Sequence, residues 1–243
     1  MKSRTNSYNN RSKRGFTLVE LLVVITIIAV LSAIAFPMGS SAILAAKQAA
    51  TISQLRQLTT MAVSYAFDQN GRLPDEGGEG VQTFANLGKA ENATAWYNQL
   101  PEMAGQKPAK DFRSNPKDFY TDNSILFLKG AKYPKNKNAA AYFAYGINSQ
   151  LDGARLTAIP MPSRTALFAE ARLPDEKTLP PFGSGSVGTD LGQPKVRDKR
   201  FVARYRNVGV IAFADGHAEA VPVSKAYDTN VVVWEIPVAQ AQN

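Results

Sequence analysis

Positions 21–46 carry no formal charge, and 21–36 are almost entirely Leu, Val, Ile and Ala. The polar exceptions, Thr26 and Ser32, are small enough to bond back to their own helix. A membrane-spanning helix needs roughly 20 such residues. A run from Phe16 to Pro37 meets that length. Pro37 lacks an N–H and its ring strikes the carbonyl four residues back, so a kink is expected there, with Gly39 close by. Beyond it the pattern turns amphipathic. Leu44, Ile52, Leu55, Leu58, Ala62 and Tyr65 recur at helical spacing, while Lys47, Gln48, Gln54 and Gln57 fall off that stripe. Asp68-Gln69-Asn70-Gly71 reads as the stop, with Gly71 as the left-handed cap. The helix so defined is ~80 Å long at ~1.5 Å per residue.

Positions 71–139 are polar, rich in Gly and Pro, and read as surface loops, with a short helix near 94–100 stopped by Pro101. Strand patterns begin later, at 140–147 and 165–170. From Arg200 to Arg206, Phe201, Ala203 and Tyr205 alternate with Arg200, Val202, Arg204 and Arg206, the pattern of a half-exposed strand. Asp215-Gly216 between 208–214 and 217–223 is a hairpin signal that predicts a type I′ turn, and 231–236 reads as a last strand. The expected fold is α+β: one long N-terminal helix packed through its second half on a C-terminal antiparallel sheet. Four segments follow: a basic leader 1–15, an apolar helix 16–37, an amphipathic helix 38–70 and a globular head 71–243.

Composition narrows the chemistry. The chain has no cysteine, which removes disulfides, thiol nucleophiles and Cys-type metal sites. One histidine, His217, excludes a multi-His metal site within the chain. Of the net +8, residues 1–15 supply +5 through Lys2, Arg4, Arg11, Lys13 and Arg14, so the body is only mildly basic. That weighs against nucleic acid as a general partner. The local exception is 195–206, six basic residues and one acid interleaved with Phe201 and Tyr205. Arg200, Arg204 and Arg206 are the candidate nucleic-acid contacts there, against the plainer reading of a strand with a solvated basic face. Asp68, Asn70, Asp75 and Glu76 offer hard oxygen ligands suited to calcium around a glycine turn, and helix capping accounts for them equally. Gly183-Ser-Gly185-Ser-Val-Gly188 has the letters of a dinucleotide loop, but prolines flank it and no βαβ unit fits. Asp215 and His217 lack an evident nucleophile, so no catalytic residues are assigned.

The helix start admits three readings: a plain anchor, a secretory signal peptide cut after Ala35 in Ala33-Ile34-Ala35, or a dedicated assembly signal. Glu20 separates them, since an acid costs ~2.5–3.5 kcal/mol at a membrane-helix centre. The run Lys13-Arg14-Gly15-Phe16-Thr17-Leu18-Val19-Glu20-Leu21-Leu22 resembles the N-terminus of type IV prepilins and type II secretion pseudopilins. The resemblance implies cleavage after Gly15 by a prepilin peptidase and methylation of Phe16. Glu20 then stands where the family carries its glutamate, and Pro37 where it often has a proline. It further implies inner-membrane insertion with the leader cytoplasmic and the head periplasmic, followed by polymerisation with other pilin or pseudopilin subunits on an inner-membrane assembly platform. The product would be a pseudopilus or a surface pilus, and the chain a structural subunit rather than an enzyme, without a cofactor. Glu20 would pair with a neighbour's Phe16 amine, because a buried carboxylate is tolerated only when paired. A DNA-uptake pilin and an exported soluble binding protein or enzyme are the alternatives.

A second resemblance is carried by Tyr65-Ala-Phe-Asp-Gln-Asn-Gly-Arg-Leu-Pro74, Tyr145-Gly-Ile-Asn148, Ser163-Arg-Thr-Ala-Leu-Phe-Ala-Glu170 and Phe213-Ala-Asp-Gly-His217. These segments are similar to pilin-like proteins abundant in planctomycetes and verrucomicrobia, which carry a C-terminal H-x9-DG signature. Here Tyr205 stands at the histidine position, so the signature is incomplete.

Overall fold

The structure is a computed structural model. It describes residues 16–78, 80–121, 124–176, 178–180, 191–197 and 200–236, with 34–38 described by backbone alone. The leader with Gly15 and the glycine-rich loop 183–188 lie outside the described residues. The chain divides into two compact units, Met1–Ile43 and Leu44–Asn243.

Helix α1 (Leu18–Asp68) contributes to both units. It takes in Pro37, and the kink expected there falls on side chains outside the described set. Among the described residues no helix is long and apolar enough to cross a membrane. At the other end, the N–H of Gly71 returns to the Ala66 carbonyl at 2.7 Å. That bond places Asn70, at φ 54°, in the first left-handed position, with Gly71 following at φ 81°. The cap is thus one residue earlier than expected, because asparagine also tolerates this conformation.

The second half of α1 packs as its stripe predicts. Leu55, Leu58, Ala62 and Tyr65 are buried, with Leu44 and Ile52 packed at the margin of the same core. That core lies against a five-stranded sheet: β1 (Tyr145–Asn148), β2 (Ala166–Glu170), β3 (Lys195–Val196), β4 (Val208–Phe213) and β5 (Ala218–Pro222), in the order β3-β1-β2-β4-β5. The fold is α+β, but the sheet is mixed, since β3 pairs parallel with β1. A two-residue strand after Pro194 carries no periodic pattern to read.

Both sheet faces are covered. Val210 and Ala212 of β4 point into the α1 core, whereas Ile211 and Phe213 join a second cluster with Phe201 and Trp234. This explains why β1 and β2 are buried at every position rather than alternately. The last predicted strand, 231–236, reduces to one bridge between Thr165 and Val233, and Trp234 donates its ring N–H to the Ala226 carbonyl at 2.8 Å.

The hairpin at Asp215-Gly216 forms, with a different turn. Gly216, at φ 97°, is left-handed and Asp215 is not. The Gly216 N–H returns to the Phe213 carbonyl at 3.0 Å, and the Phe213 N–H meets the His217 carbonyl at 2.8 Å. This is a three-residue loop closed by a glycine bulge instead of a type I′ turn.

Residues 71–139 are not a surface loop. Leu73, Phe84, Leu87, Phe112, Phe119, Leu126 and Leu128 are all buried. Helix α2 (Trp96–Met103) runs through Pro101 rather than stopping at it. It ends in a Schellman motif, with Gln106 N–H on Pro101 O at 2.8 Å and Gly105 N–H on Glu102 O at 3.0 Å. Trp96 is the hub, its ring packed edge-on against Tyr97, Phe143 and Phe168 at 5.3–5.8 Å between centroids. Its other described helical elements are short 3₁₀ turns.

At Gly146 the β1 backbone passes so close to the β3 entry that a Cβ would lie 2.5 Å from Pro194 O and 2.7 Å from Lys195 N. Gly146→Ala is expected to lose roughly 1–3 kcal/mol by overpacking. A lowered urea midpoint at unchanged slope checks this.

Candidate assembly site at the helix start

Thr17 and Glu20 form a reciprocal cap on α1. The Thr17 N–H and Oγ1–H both donate to Glu20 Oε2 at 2.9 Å, and the Glu20 N–H donates to Thr17 Oγ1 at 3.2 Å. This is a capping box, with Thr17 as N-cap and Glu20 three residues on. The Thr-x-x-Glu spacing carries that signal openly, and the prepilin reading of Glu20 passed over it. Within one chain, therefore, Glu20 is already hydrogen-bonded. Phe16 precedes the cap and is 79% exposed.

The surface behind the cap is apolar all round. Leu18, Val19, Leu21, Leu22, Val23 and Ile25 are all exposed, as are the large side chains on to Leu31. A helix apolar on every side belongs in a protein core or a membrane. The charge-bearing cap thus heads an apolar surface that stays exposed in the single chain.

The other candidate residues fall elsewhere. Arg200, Arg204 and Arg206 do not share a face. Arg200 is half-buried and donates to Gln193 Oε1 at 2.6 Å, and Arg206 is exposed at φ 50°. Arg204 is buried between two carboxylates, with Glu176 Oε2 at 2.6 Å and Glu170 Oε1 at 2.9 Å. The proposed nucleic-acid surface is thereby corrected, because Arg204 could reach a phosphate only by breaking both ion pairs. Residues 200–206 also form no regular strand, and 201–205 are buried throughout, with Phe201 in the second core and Tyr205 in the core against α1. Tyr205, at the position of the signature histidine, is buried, with its hydroxyl 2.6 Å from Thr51 Oγ1.

The oxygen-rich turn after α1 is engaged in bonds of its own. Asp75 accepts from the Thr94 hydroxyl, and Glu76 pairs with Lys195 at 2.7 Å. Among the described residues no group of three or more acidic or histidine side chains could hold a metal ion. His217 lies on the hairpin, 2.6 Å from Asp215 and stacked 4.4 Å over Phe213.

Residues 10–36 match the family model described as the prokaryotic N-terminal methylation motif. That is the N-terminal feature of type IV prepilin-like proteins, and it covers the end of the leader, Phe16, the capping box and the exposed apolar helix together. No solved structure matches the chain.

Proposed function

We propose that this chain is a pilin-like or pseudopilin-like structural subunit of a filament. The match of residues 10–36 to the methylation motif carries the reading. The exposed apolar surface from Phe16 to Leu31 supports it, because that surface needs a covering which one chain does not supply. The subunit enters the bacterial inner membrane through 16–37, with 1–15 in the cytoplasm and the head in the periplasm. A prepilin peptidase cuts after Gly15 and the new amine of Phe16 is methylated. Assembly on an inner-membrane platform then stacks the apolar helices of this and related subunits. Glu20 exchanges its place in the capping box for the charged amine of a neighbour's Phe16, which fixes axial register where the dielectric is low.

Replacing Gly15 by Leu tests the sequence of events. Expected is accumulation of the uncut 243-residue chain in the membrane fraction and no filament. Filaments built from uncut Gly15→Leu chains would refute the processing step.

A further inference from the structure

The second unit holds an open, polar cavity of about 290 Å³ beside the amphipathic half of α1. Small-ligand pockets run from roughly 300 to 1,000 Å³, so this one suits a single compact group. Gln54 and Gln57 of α1, Gln106, and Ser124, Ile125 and Phe127 from the chain after α2 line it. Lys129 also reaches the lining and is engaged in the fold. Asp122, two positions before Ser124, lies outside the described residues. Charge therefore does not select the ligand, and the oriented amides do.

Two of the amides hold the same residue by its two backbone groups. Gln54 commits its NH₂ to the carbonyls of Ile125 (2.6 Å) and Phe127 (3.0 Å), which turns its own carbonyl toward a ligand. Gln106 commits its carbonyl to the Ile125 N–H at 2.7 Å, which turns its NH₂ toward a ligand. These bonds fix the sense of both amides, since a flip of either would set donor against donor or acceptor against acceptor. The cavity thus presents one fixed acceptor and one fixed donor. Ser124 adds a hydroxyl, whose oxygen accepts from the Leu126 N–H at 3.2 Å and whose proton is left to donate.

The apolar part of the lining is small. Ile125 is buried but reaches the cavity, and Phe127 is half-buried with one ring face stacked on Tyr133 at 5.2 Å between centroids.

We infer that this cavity binds an N-acetylated hexosamine of a neutral glycan. Its acetamido N–H donates to the Gln54 carbonyl, and its acetamido C=O accepts from the Gln106 NH₂. A secondary amide carries one N–H and one C=O of fixed polarity, the complement of the two oriented glutamines. The acetyl methyl needs a small apolar spot, which Ile125 offers, and the sugar ring needs an aromatic face, which Phe127 offers. The ring hydroxyls fall to Ser124 and Gln57. A plain hexose leaves the apolar spot empty and the amide pair to rotating hydroxyls. An extended peptide repeats its amides along the chain and is bound along a strand edge, whereas this cavity takes one amide. The site does not depend on the filament reading, and on a filament it would give the head a hold on acetamido-bearing polysaccharide.

The test is calorimetric titration of the full-length chain, in a detergent without a sugar headgroup, with tri-N-acetylchitotriose. The comparators are cellotriose, which has the hydroxyls without the acetamide, and capped trialanine, which has the amides without the ring. Saturable binding of the acetylated trimer is expected, at least about tenfold tighter than either comparator, because a site built to hydrogen-bond a group rejects the analogue that lacks it. Gln106→Glu keeps the acceptor for the Ile125 N–H and replaces the NH₂ donor with a second acceptor oxygen. It is expected to weaken binding at least about tenfold with the thermal midpoint unchanged. Should that variant unfold, the selectivity of the wild-type chain decides alone. Absent binding of the acetylated trimer, equal binding of cellotriose or capped trialanine, or unchanged affinity in folded Gln106→Glu each overturns the assignment.

Discussion

Arg204→Ala is expected to cost about 3–5 kcal/mol, the range for leaving buried carboxylates without their cation. Against the ~5–15 kcal/mol that holds a typical domain, such a loss is severe. All five guanidinium N–H groups are spent. Nε and Nη2 form a fork on Glu176 at 2.8 and 2.6 Å, Nη1 reaches Glu170 and the Ala144 carbonyl at 2.9 and 3.0 Å, and Nη2 also reaches the Ala171 carbonyl at 2.7 Å. The carboxylates extend the network. Glu170 accepts from the Val210 N–H, and Glu176 from the N–H groups of Lys132 and Leu173. One side chain and its two carboxylates thus tie β2, β4, the entry to β1 and the backbone at Lys132 together. Arg204→Lys keeps the charge but not the fork, and is expected to fall between wild type and Ala. Urea unfolding measures all three, and an Arg204→Ala loss under about 1 kcal/mol would show the network to be dispensable.

The two glutamates titrate with opposite signs. Burial pushes Glu170 up, more than its contacts with Arg204 pull it down. Burial also pushes Glu176 up, yet the Arg204 fork and two backbone N–H groups hold it below the ordinary carboxylate range. Glu176 therefore contributes stability above its unfolded value of ~4.3, lost as pH falls through its lower folded value. Glu170 carries a cost at neutral pH that disappears as pH falls through its raised value. Glu176→Gln is accordingly expected to destabilise more than Glu170→Gln at pH 7, with the gap narrowing below about pH 4.

The second large effect is on assembly, and the capping box makes it separable from helix stability. Glutamine serves at the third helical position of a capping box as glutamate does. Glu20→Gln therefore keeps the cap and removes only the charge. Glu20→Ala removes both, at a cost to the helix start of ~1 kcal/mol. If Glu20 pairs with a neighbour's Phe16 amine in a dry helix bundle, deleting the charge leaves that amine buried and unpaired, a penalty of ~2–5 kcal/mol. Filament yield in shear fractions is expected to fall more than about tenfold in both variants. Near-normal yield in Glu20→Gln with loss in Glu20→Ala would reduce Glu20 to a cap.

What the sequence revealed followed from how local each signal is. The methylation motif is contiguous, so it could be read at a glance. The Leu55–Leu58–Ala62–Tyr65 stripe is periodic, so its buried face was legible without the fold. β2 announced itself through a dense apolar run, and β4 and β5 through the runs that flank Asp215-Gly216. By contrast, 71–139 builds its core from single aromatics, Trp96 at the start of the short α2 and Phe112 and Phe119 on 3₁₀ turns, and 3₁₀ turns impose no hydrophobic period. Arg204 was misread because alternation with Phe201 and Tyr205 looks the same whether the charge meets water or a buried glutamate. Its partners lie 34 and 28 positions away, beyond any local pattern. β3 was invisible at two residues, and the bonds of Gln54 and Gln106 to Ile125 arise only when the folded chain brings them together.

The central claim is that this polypeptide is trimmed at Gly15–Phe16 and built into a polymer through its apolar helix. The most direct measurement is mass spectrometry of the N-terminal peptide in the sheared extracellular or periplasmic fibre fraction. The account predicts a peptide that begins at Phe16 and carries one methyl group on its amine. A chain that begins at Phe36, or one that is absent from every fibre fraction, would contradict it.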